Sequence, residues 1–251
     1  MREARRTRAK MATMHPSLPL PQTQVDVLVL AAHAPEFVGL RPHIGDSLHG
    51  TVAGLFVVAK TIGVGLAVAG AATANRIQQL KPRAVIVLGS CGIYPCGVPY
   101  KPLDIVIANH LHLFDPSVSA GKAAFPAPMQ TQIDADPGLL AGLLSTPDIV
   151  CRAAPVATTM AITTDDAIAR AVHGATGLEA ENLELFPIAL ACRAADVPFA
   201  AVLGVTNLVG STGRTDWRQY QRDAAIAAAE VIVSWLRRSA PGLRRNEPRL
   251  Q

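Results

Sequence analysis

Residues 84–92 read AVIVLGSCG, a run of buried-type β-branched and aliphatic residues that breaks without warning into a glycine turn. An apolar run of this length with no polar alternation is the pattern of a strand covered on both faces, as in parallel sheets flanked by helices. The polar turn that follows it marks the carboxyl end of the strand. In open α/β architectures that end is where ligands bind.

Outward from this stretch the pattern repeats. Residues 25–31 (VDVLVLA) form a first near-continuous apolar run and residues 51–60 (TVAGLFVVAK) a second strand. Gly63 and Gly65 then open a small-residue helix over 66–80, stopped by Pro82. Residues 104–109 (DIVIAN) predict a further strand, and 116–148 a long loop around one short helix near 137–144. Residues 150–162 read as extended and 184–195 as a helix, with Pro187 tolerable in its first turn. Residues 199–205 predict the last strand and 215–238 a long Ala-rich closing helix. Strands alternating with helices imply an α/β fold: a single domain with a central, mostly parallel mixed sheet flanked by helices. The domain is expected over 23–238, between a basic leader (1–22) and a basic tail (239–251).

The 251-residue chain is 50% hydrophobic, enough for one full core, but only 4% aromatic, so Ala, Val, Leu and Ile must do most of the packing. Its formal net charge of +4 is misleading. Arg2, Arg5, Arg6, Arg8 and Lys10 sit at one end and Arg237, Arg238, Arg244, Arg245 and Arg249 at the other, leaving the body net negative. Charge on two tails does not make a nucleic-acid groove, so no nucleic-acid partner is expected. The glycine-broken apolar stretch 62–74 is too short to span a bilayer. No apolar run follows the basic leader before Pro16 and Pro19, as a secretory signal would require. A cytoplasmic protein without a membrane partner is therefore expected. Cys91, Cys96, Cys151 and Cys192 lack metal-ligand or CxxC spacing, so neither a disulfide, a metal nor a cofactor is implied.

The segments following the predicted strands carry the polar residues. They are Ala32-His33-Ala34-Pro35-Glu36, then Gly89-Ser90-Cys91-Gly92, then Thr163-Thr164-Asp165-Asp166, then Thr206-Asn207. Glu184 opens the helix leading into the last strand. The fold would bring these groups to one edge of the sheet.

In this arrangement the chain resembles the purine nucleoside phosphorylase and nucleosidase superfamily from about residue 25 to 238. Asn182-Leu183-Glu184, Val197-Pro198-Phe199 and Val205-Thr206-Asn207 match that family's "(E/N)-M-E … V-P-F … I-S-(D/N)" run without a gap. Residues 87–92 resemble its "GSAGG" or "GSCG" turn, Thr164-Asp165-Asp166-Ala167 its "SGDAF", and 103–106 its "GDIV" element.

The resemblance implies roles. Glu184 would accept hydrogen bonds from the ribose 2′- and 3′-hydroxyls and favour the oxocarbenium-like sugar of the transition state. Asn207 would face the N7 and O6 edge of the purine. Adenine-releasing relatives usually carry Asp there; an amide offers NH2 to O6 and C=O to a protonated N7, which suits 6-oxopurines. Glu36 stands where nucleosidases place the carboxylate that activates water. The "GDPxR" loop and the second arginine with which phosphorylases hold phosphate are absent: the first loop reads AAHAPE and Val87 stands before the turn. Gly89, Ser90 and Gly92 would bound the sugar, Leu183 would pack beneath it, Asp166 would stand near the purine loop, and Ile168 and Ala169 would offer backbone groups to the base. His33, His110 and His112 read as structural histidines at strand ends, with His112 and Asp115 resembling an element that lines a neighbouring subunit's pocket. A homo-oligomer is implied in the same way.

The last stretch, Asn182-Leu183-Glu184 and then Asn207-Leu208-Val209-Gly210 with Arg214, Asp216 and Trp217, resembles futalosine hydrolases. Leu185-Phe186-Pro187 departs from the small residues found there. The implied reaction is hydrolysis of the N-glycosidic bond of a purine nucleoside, futalosine or another 6-oxopurine nucleoside, releasing hypoxanthine. The alternatives are a methylthioadenosine/adenosylhomocysteine nucleosidase, a phosphorylase, and a non-catalytic nucleoside-binding protein.

Overall fold

A computed structural model describes residues 24–95 and 97–244. The predicted leader, Cys96 and the end of the basic tail lie outside the described residues. The order of elements is β1 (Val27–Ala31), a 3-10 turn (Ala34–Gly39), α1 (Arg41–Ile44), β2 (His49–Val52), β3 (Leu55–Thr61), α2 (Leu66–Leu80), β4 (Ala84–Ile93), β5 (Ile105–Leu113), α3 (Pro116–Ser119), β6 (Gln132–Asp134), α4 (Pro137–Leu144), β7 (Cys151–Thr158), α5 (Asp166–Thr176), β8 (Ala180–Asn182), α6 (Leu185–Ala194), β9 (Phe199–Leu208) and α7 (Gly213–Arg237).

The apolar runs become the middle of the sheet. Every residue of β1 is fully buried, and each such Val or Leu contributes about 1.5–3 kcal/mol relative to an exposed position. β1 pairs in parallel with β3 on one side and β4 on the other, and β4 pairs in parallel with β9. β9 runs antiparallel to β5, β5 parallel to β7, β7 parallel to β8, and β8 antiparallel to the end of β4. These pairings close a ring of strands at one end of the nine-stranded sheet, so the expected mixed sheet curls on itself.

Helices cover both faces. α2 and α6 supply Ala69, Ile77, Leu185, Phe186 and Ile188 to one core cluster. α7 and α4 supply Val231, Ile232, Trp235, Leu139 and Leu143 to the other. Close approach of α7 to β9 depends on Gly204, where any Cβ would overlap the backbone carbonyl of Ala224. Pro187 sits in the first turn of α6, as its missing N–H requires, with its ring against Gly70 of α2.

Two sequence expectations need correction, and one helix goes unread in the sequence. The strand expected over 51–60 is a hairpin, β2 and β3, turning at Ala53 (φ 48°) and Gly54 (φ 83°). The segment after β7 contains a helix, α5, capped at its N-terminus by Asp165 and closed by Gly177 with φ 73°. Residues 239–244, assigned to the tail, pack back on the domain: Trp235 Nε1 donates to the Pro241 carbonyl at 2.9 Å, Arg244 meets Asp136 at 3.1 Å, and Leu243 joins the second core. Among the described residues no helix is long and apolar enough to cross a membrane.

Candidate active site

The carboxyl ends of β1, β4, β8 and β9 and the loop after β7 surround a cavity of about 270 Å³. Its lining includes Glu36, Ser90, Gly92, Leu183, Glu184 and Asn207. Parallel pairing of β1, β4 and β9 aligns these strand ends, which is why residues far apart in sequence converge.

Glu36 lies in the 3-10 turn after β1, with Pro35 preceding it, and is 7% exposed. Its Oε2 accepts the backbone N–H of His33 at 3.2 Å and lies 3.1 Å from His33 Nδ1. Hydrogen bonding to Glu36 holds the His33 imidazole above its ordinary pKa, against the opposing effect of its own burial. The other carboxylate oxygen, Oε1, is directed toward β4, where a Cβ built on Gly89 would stand 3.7 Å from it. One oxygen is thus anchored while the other is turned to the strand end. His33 also stacks obliquely on Trp217, with ring centroids 6.2 Å apart, and Trp217 Nε1 donates to Ser90 Oγ at 3.3 Å.

Glu184, also 7% exposed, sits at the junction of β8 and α6. Asn182 makes that junction. Its Oδ1 accepts the N–H groups of Glu184 (2.8 Å) and Leu185 (3.0 Å), while its Nδ2 donates to the Ser90 carbonyl at 3.1 Å. One oxygen of Glu184 accepts Gly65 N–H at 2.9 Å. Burial raises the Glu184 pKa, the Gly65 bond opposes that, and the charge of Glu36 adds to the rise. A carboxylate has about four acceptor positions, so Glu184 retains capacity for two hydroxyl donors.

Asn207 follows the β-bulge that offsets β9 from β4 between Cys91 and Gly92. Its Oδ1 accepts from Thr206 Oγ1 at 2.7 Å and its Nδ2 donates to the Leu208 carbonyl at 2.8 Å. The amide is therefore fixed in orientation, with one N–H and one lone pair remaining. Gly92 permits this placement: a Cβ there would meet Asn207 Nδ2 at 2.8 Å and Val209 Cγ2 at 2.9 Å.

Residues 21–237 match the phosphorylase superfamily. The chain belongs to that superfamily. A 5'-methylthioadenosine/S-adenosylhomocysteine nucleosidase of Glaesserella parasuis serovar 5 is 26% identical over 185 residues, covering 69% of this chain and 77% of that protein. Among solved structures, the corresponding nucleosidase of Neisseria meningitidis, bound to methylthio-immucillin-A, superposes with a TM-score of 0.76 at 19% identity, over 85% of this chain and 99% of that one. The futalosine hydrolase of Helicobacter pylori strain 26695 superposes equally well, at 0.76 and 15% identity, over 84% and 97%. The nucleoside phosphorylase-like fold expected from the sequence is the fold found.

Within this superfamily member, Glu36, Glu184, Asn207, Ser90, Gly92 and Leu183 come together at the cavity. Gly89 stands just behind it, against Glu36. Ile168, Ala169 and Asp166 do not line it. The N–H of Ile168 is spent on the Asp165 side-chain cap and that of Ala169 on the Asp165 carbonyl, and Ala169 is fully buried, so neither amide can serve a base. Asp166 instead accepts Ser211 N–H (2.8 Å) and Ser211 Oγ–H (3.0 Å), which tethers the loop carrying Val209 and Gly210. Those two bonds hold its carboxyl below the ordinary range. Phe186, the bulky departure in the motif, packs in the core and stays out of the cavity. His110 pairs with Asp134 at 2.6 Å and Asp115 caps α3 through Ser117 N–H; with His112 they lie off the cavity.

The sequence reading missed three lining residues. His33 reads from the sequence as structural, although its position three residues before Glu36 is that of a reciprocal cap. Trp217 was noted only as part of a motif. Glu181, 7% exposed, accepts Tyr94 O–H at 2.6 Å, Thr163 N–H at 2.9 Å and Thr163 Oγ–H at 2.6 Å, and no sequence signal pointed to it. Among the described residues no group of three or more His, Cys, Asp or Glu side chains is arranged to hold a metal ion.

Proposed function

We propose that this protein hydrolyses the N-glycosidic bond of a purine nucleoside, with a 6-oxopurine nucleoside such as futalosine as substrate. The observation that carries the reading is the pair of buried carboxylates, Glu36 and Glu184, on one cavity with a fixed amide at Asn207. In this reading Glu184 holds the ribose hydroxyls and Glu36 takes a proton from water as its oxygen bonds to the anomeric carbon. The bonding pair of the C–N bond leaves with the base, which takes up a proton from solvent at N7. Asn207 then offers C=O to that N7–H and N–H to O6. Both carboxylates favour the positive charge that develops on the sugar.

Two buried carboxylates also oppose a phosphate dianion. Arg214 reaches the cavity from the start of α7, so phosphate dependence is the sharpest arm of the test. The second reading, release of adenine from methylthioadenosine or adenosylhomocysteine, draws on the named activity of the Glaesserella parasuis relative. Its weakness is Asn207, an amide that cannot act as an acid. A cytoplasmic homo-oligomer belongs to the same reading. Val64 and Ile162, which line the cavity yet are 61% and 49% exposed, give its mouth an apolar rim suited to a second copy.

The test is chromatographic base release from futalosine, inosine, methylthioadenosine and adenosylhomocysteine, with and without phosphate. Hypoxanthine released fastest from futalosine, with no need for phosphate, is expected. Adenine release would favour the second reading, and strict phosphate dependence would make the protein a phosphorylase. No base from any substrate would favour a nucleoside-binding protein.

A further inference from the structure

The reaction proposed above leaves the imidazole of His33 without a part, although it lines the cavity. His33 meets Glu36 Oε2 twice, through its backbone N–H at 3.2 Å and its ring Nδ1 at 3.1 Å. That Nδ1 is closed off from solvent. An ionised carboxylate only accepts, so a buried Nδ1 beside it must carry its hydrogen. The ring is held in place from α7, where Trp217 stacks obliquely on it and the Gln221 side chain hydrogen-bonds to it. Trp217 is fixed in turn by its Nε1 bond to Ser90 Oγ at 3.3 Å.

Charge gives the ring a task. Glu36 and Glu184 are both buried on one cavity, and like charges in a poorly solvated site oppose each other. Among the described residues lining the cavity, only His33 and Arg214 can carry positive charge; Arg214 is exposed, whereas His33 sits on the carboxylate. The ionisable groups around the ring are Glu36 on its own turn and Glu184 at the β8–α6 junction, with Glu181 and Arg214 elsewhere on the cavity wall. Trp217 and Gln221, which reach it from α7, are neutral.

We propose that His33 is a positioning residue for Glu36: its protonated imidazole pins Oε2 and balances the carboxylate's charge, leaving Oε1 to the water. This role presupposes the reading of Glu36 as the group that activates water. Hydrogen bonding to Glu36 raises the His33 pKa, burial opposes the rise, and the charges of Glu36 and Glu184 add to it, so the ring keeps its proton above its ordinary value of 6.5. Once the ring is neutral, two buried carboxylates share the cavity without the counter-charge beside them. Activity is therefore expected to fall on the alkaline side.

The experiment is base release from futalosine, inosine and methylthioadenosine by the full chain, His33→Phe and His33→Asn, between about pH 5 and about pH 9, with thermal unfolding recorded alongside. Phe keeps a ring against Trp217 and removes the donor. Asn restores a donor near the place of Nδ1 but cannot titrate. The wild-type kcat/KM is expected to fall as pH rises through a value above 6.5. His33→Phe is expected to lose about 10–100-fold in kcat with KM within a few-fold of wild type. His33→Asn should recover part of that loss and show no such alkaline limb. Wild-type kcat in His33→Phe would overturn the proposal, as would an alkaline limb that persists unchanged in His33→Asn. A lowered unfolding midpoint in both variants, with the shape of the pH profile unaltered, would reduce His33 to a packing role and overturn it too. Should His33→Phe fail to fold, the pH profile of His33→Asn decides. Turnover by the wild type that the variants leave untouched strikes this role alone; no turnover by the wild type strikes the hydrolytic reading and this role with it.

Discussion

At the scale of single residues, the site is a set of anchored carboxylates. Glu36 has one oxygen tied to His33 and the other turned toward Gly89. Replacing it by Gln keeps the shape and removes the proposed base. Glu36→Gln is expected to lower kcat by about 10²–10⁴-fold while leaving nucleoside affinity within a few-fold, measured by steady-state kinetics and calorimetry. The His33–Glu36 pair also predicts a pH effect on stability. The His33 pKa is raised in the native state, so its contribution is fully present below about pH 6.5 and is lost as pH rises through the native value. Urea midpoints of wild type and Glu36→Gln should therefore differ at pH 6 and converge at high pH. The raised Glu184 pKa acts on catalysis in the opposite region. In the proposed reaction Glu184 must be ionised to accept from the sugar, so the acid limb of kcat/KM should lie above the ordinary glutamate value of about 4.3. An acid limb at or below that value would exclude Glu184 from the role.

At the scale of elements, the strand ends were the legible part of the sequence. The near-continuous apolar run at 25–31 and the unbroken one at 84–88 read as buried strands, and the polar residues after them as groups gathered at one edge. Shorter elements carried weaker signals. β8 has three residues, too few for any periodicity, and it holds Glu181. The hairpin between β2 and β3 turns on Ala53 with positive φ, a conformation that alanine does not advertise. In α5 the motif resemblance points to Ile168 and Ala169, whereas Asp165 consumes their amides, the first through its side chain and the second through its backbone carbonyl. The meeting of β4, β8 and β9 at Gly92 was invisible until the pairing was known. Gly92→Ala tests that junction. Its Cβ would displace Asn207 and Val209, so a loss of at least about tenfold in kcat/KM is expected, with overpacking costing about 1–3 kcal/mol of stability by urea unfolding. Unchanged kinetics would mean that Asn207 does not need its observed position.

At the scale of the whole molecule, the closed ring of strands holds the cavity at one end while α7 and the segment after it brace the sheet from behind. The sequence could not show that residues 239–244 belong to this brace, because Pro241 and Gly242 break the helix ahead of an arginine-rich end that reads as solvated. In fact Pro241, Leu243 and Arg244 fasten α4 to α7, and none of residues 239–244 lines the cavity. A chain ending at Arg238 is expected to lose about 2–4 kcal/mol, read as a lower urea midpoint, and to keep its kcat at temperatures where it remains folded. In the proposed reaction Glu36, Glu184 and Asn207 act together, with water as the second substrate. The most direct measurement is turnover of futalosine or inosine in ¹⁸O-labelled water containing phosphate, with mass analysis of the sugar product. Free sugar carrying ¹⁸O at the anomeric position is predicted. A sugar 1-phosphate without the label would contradict it.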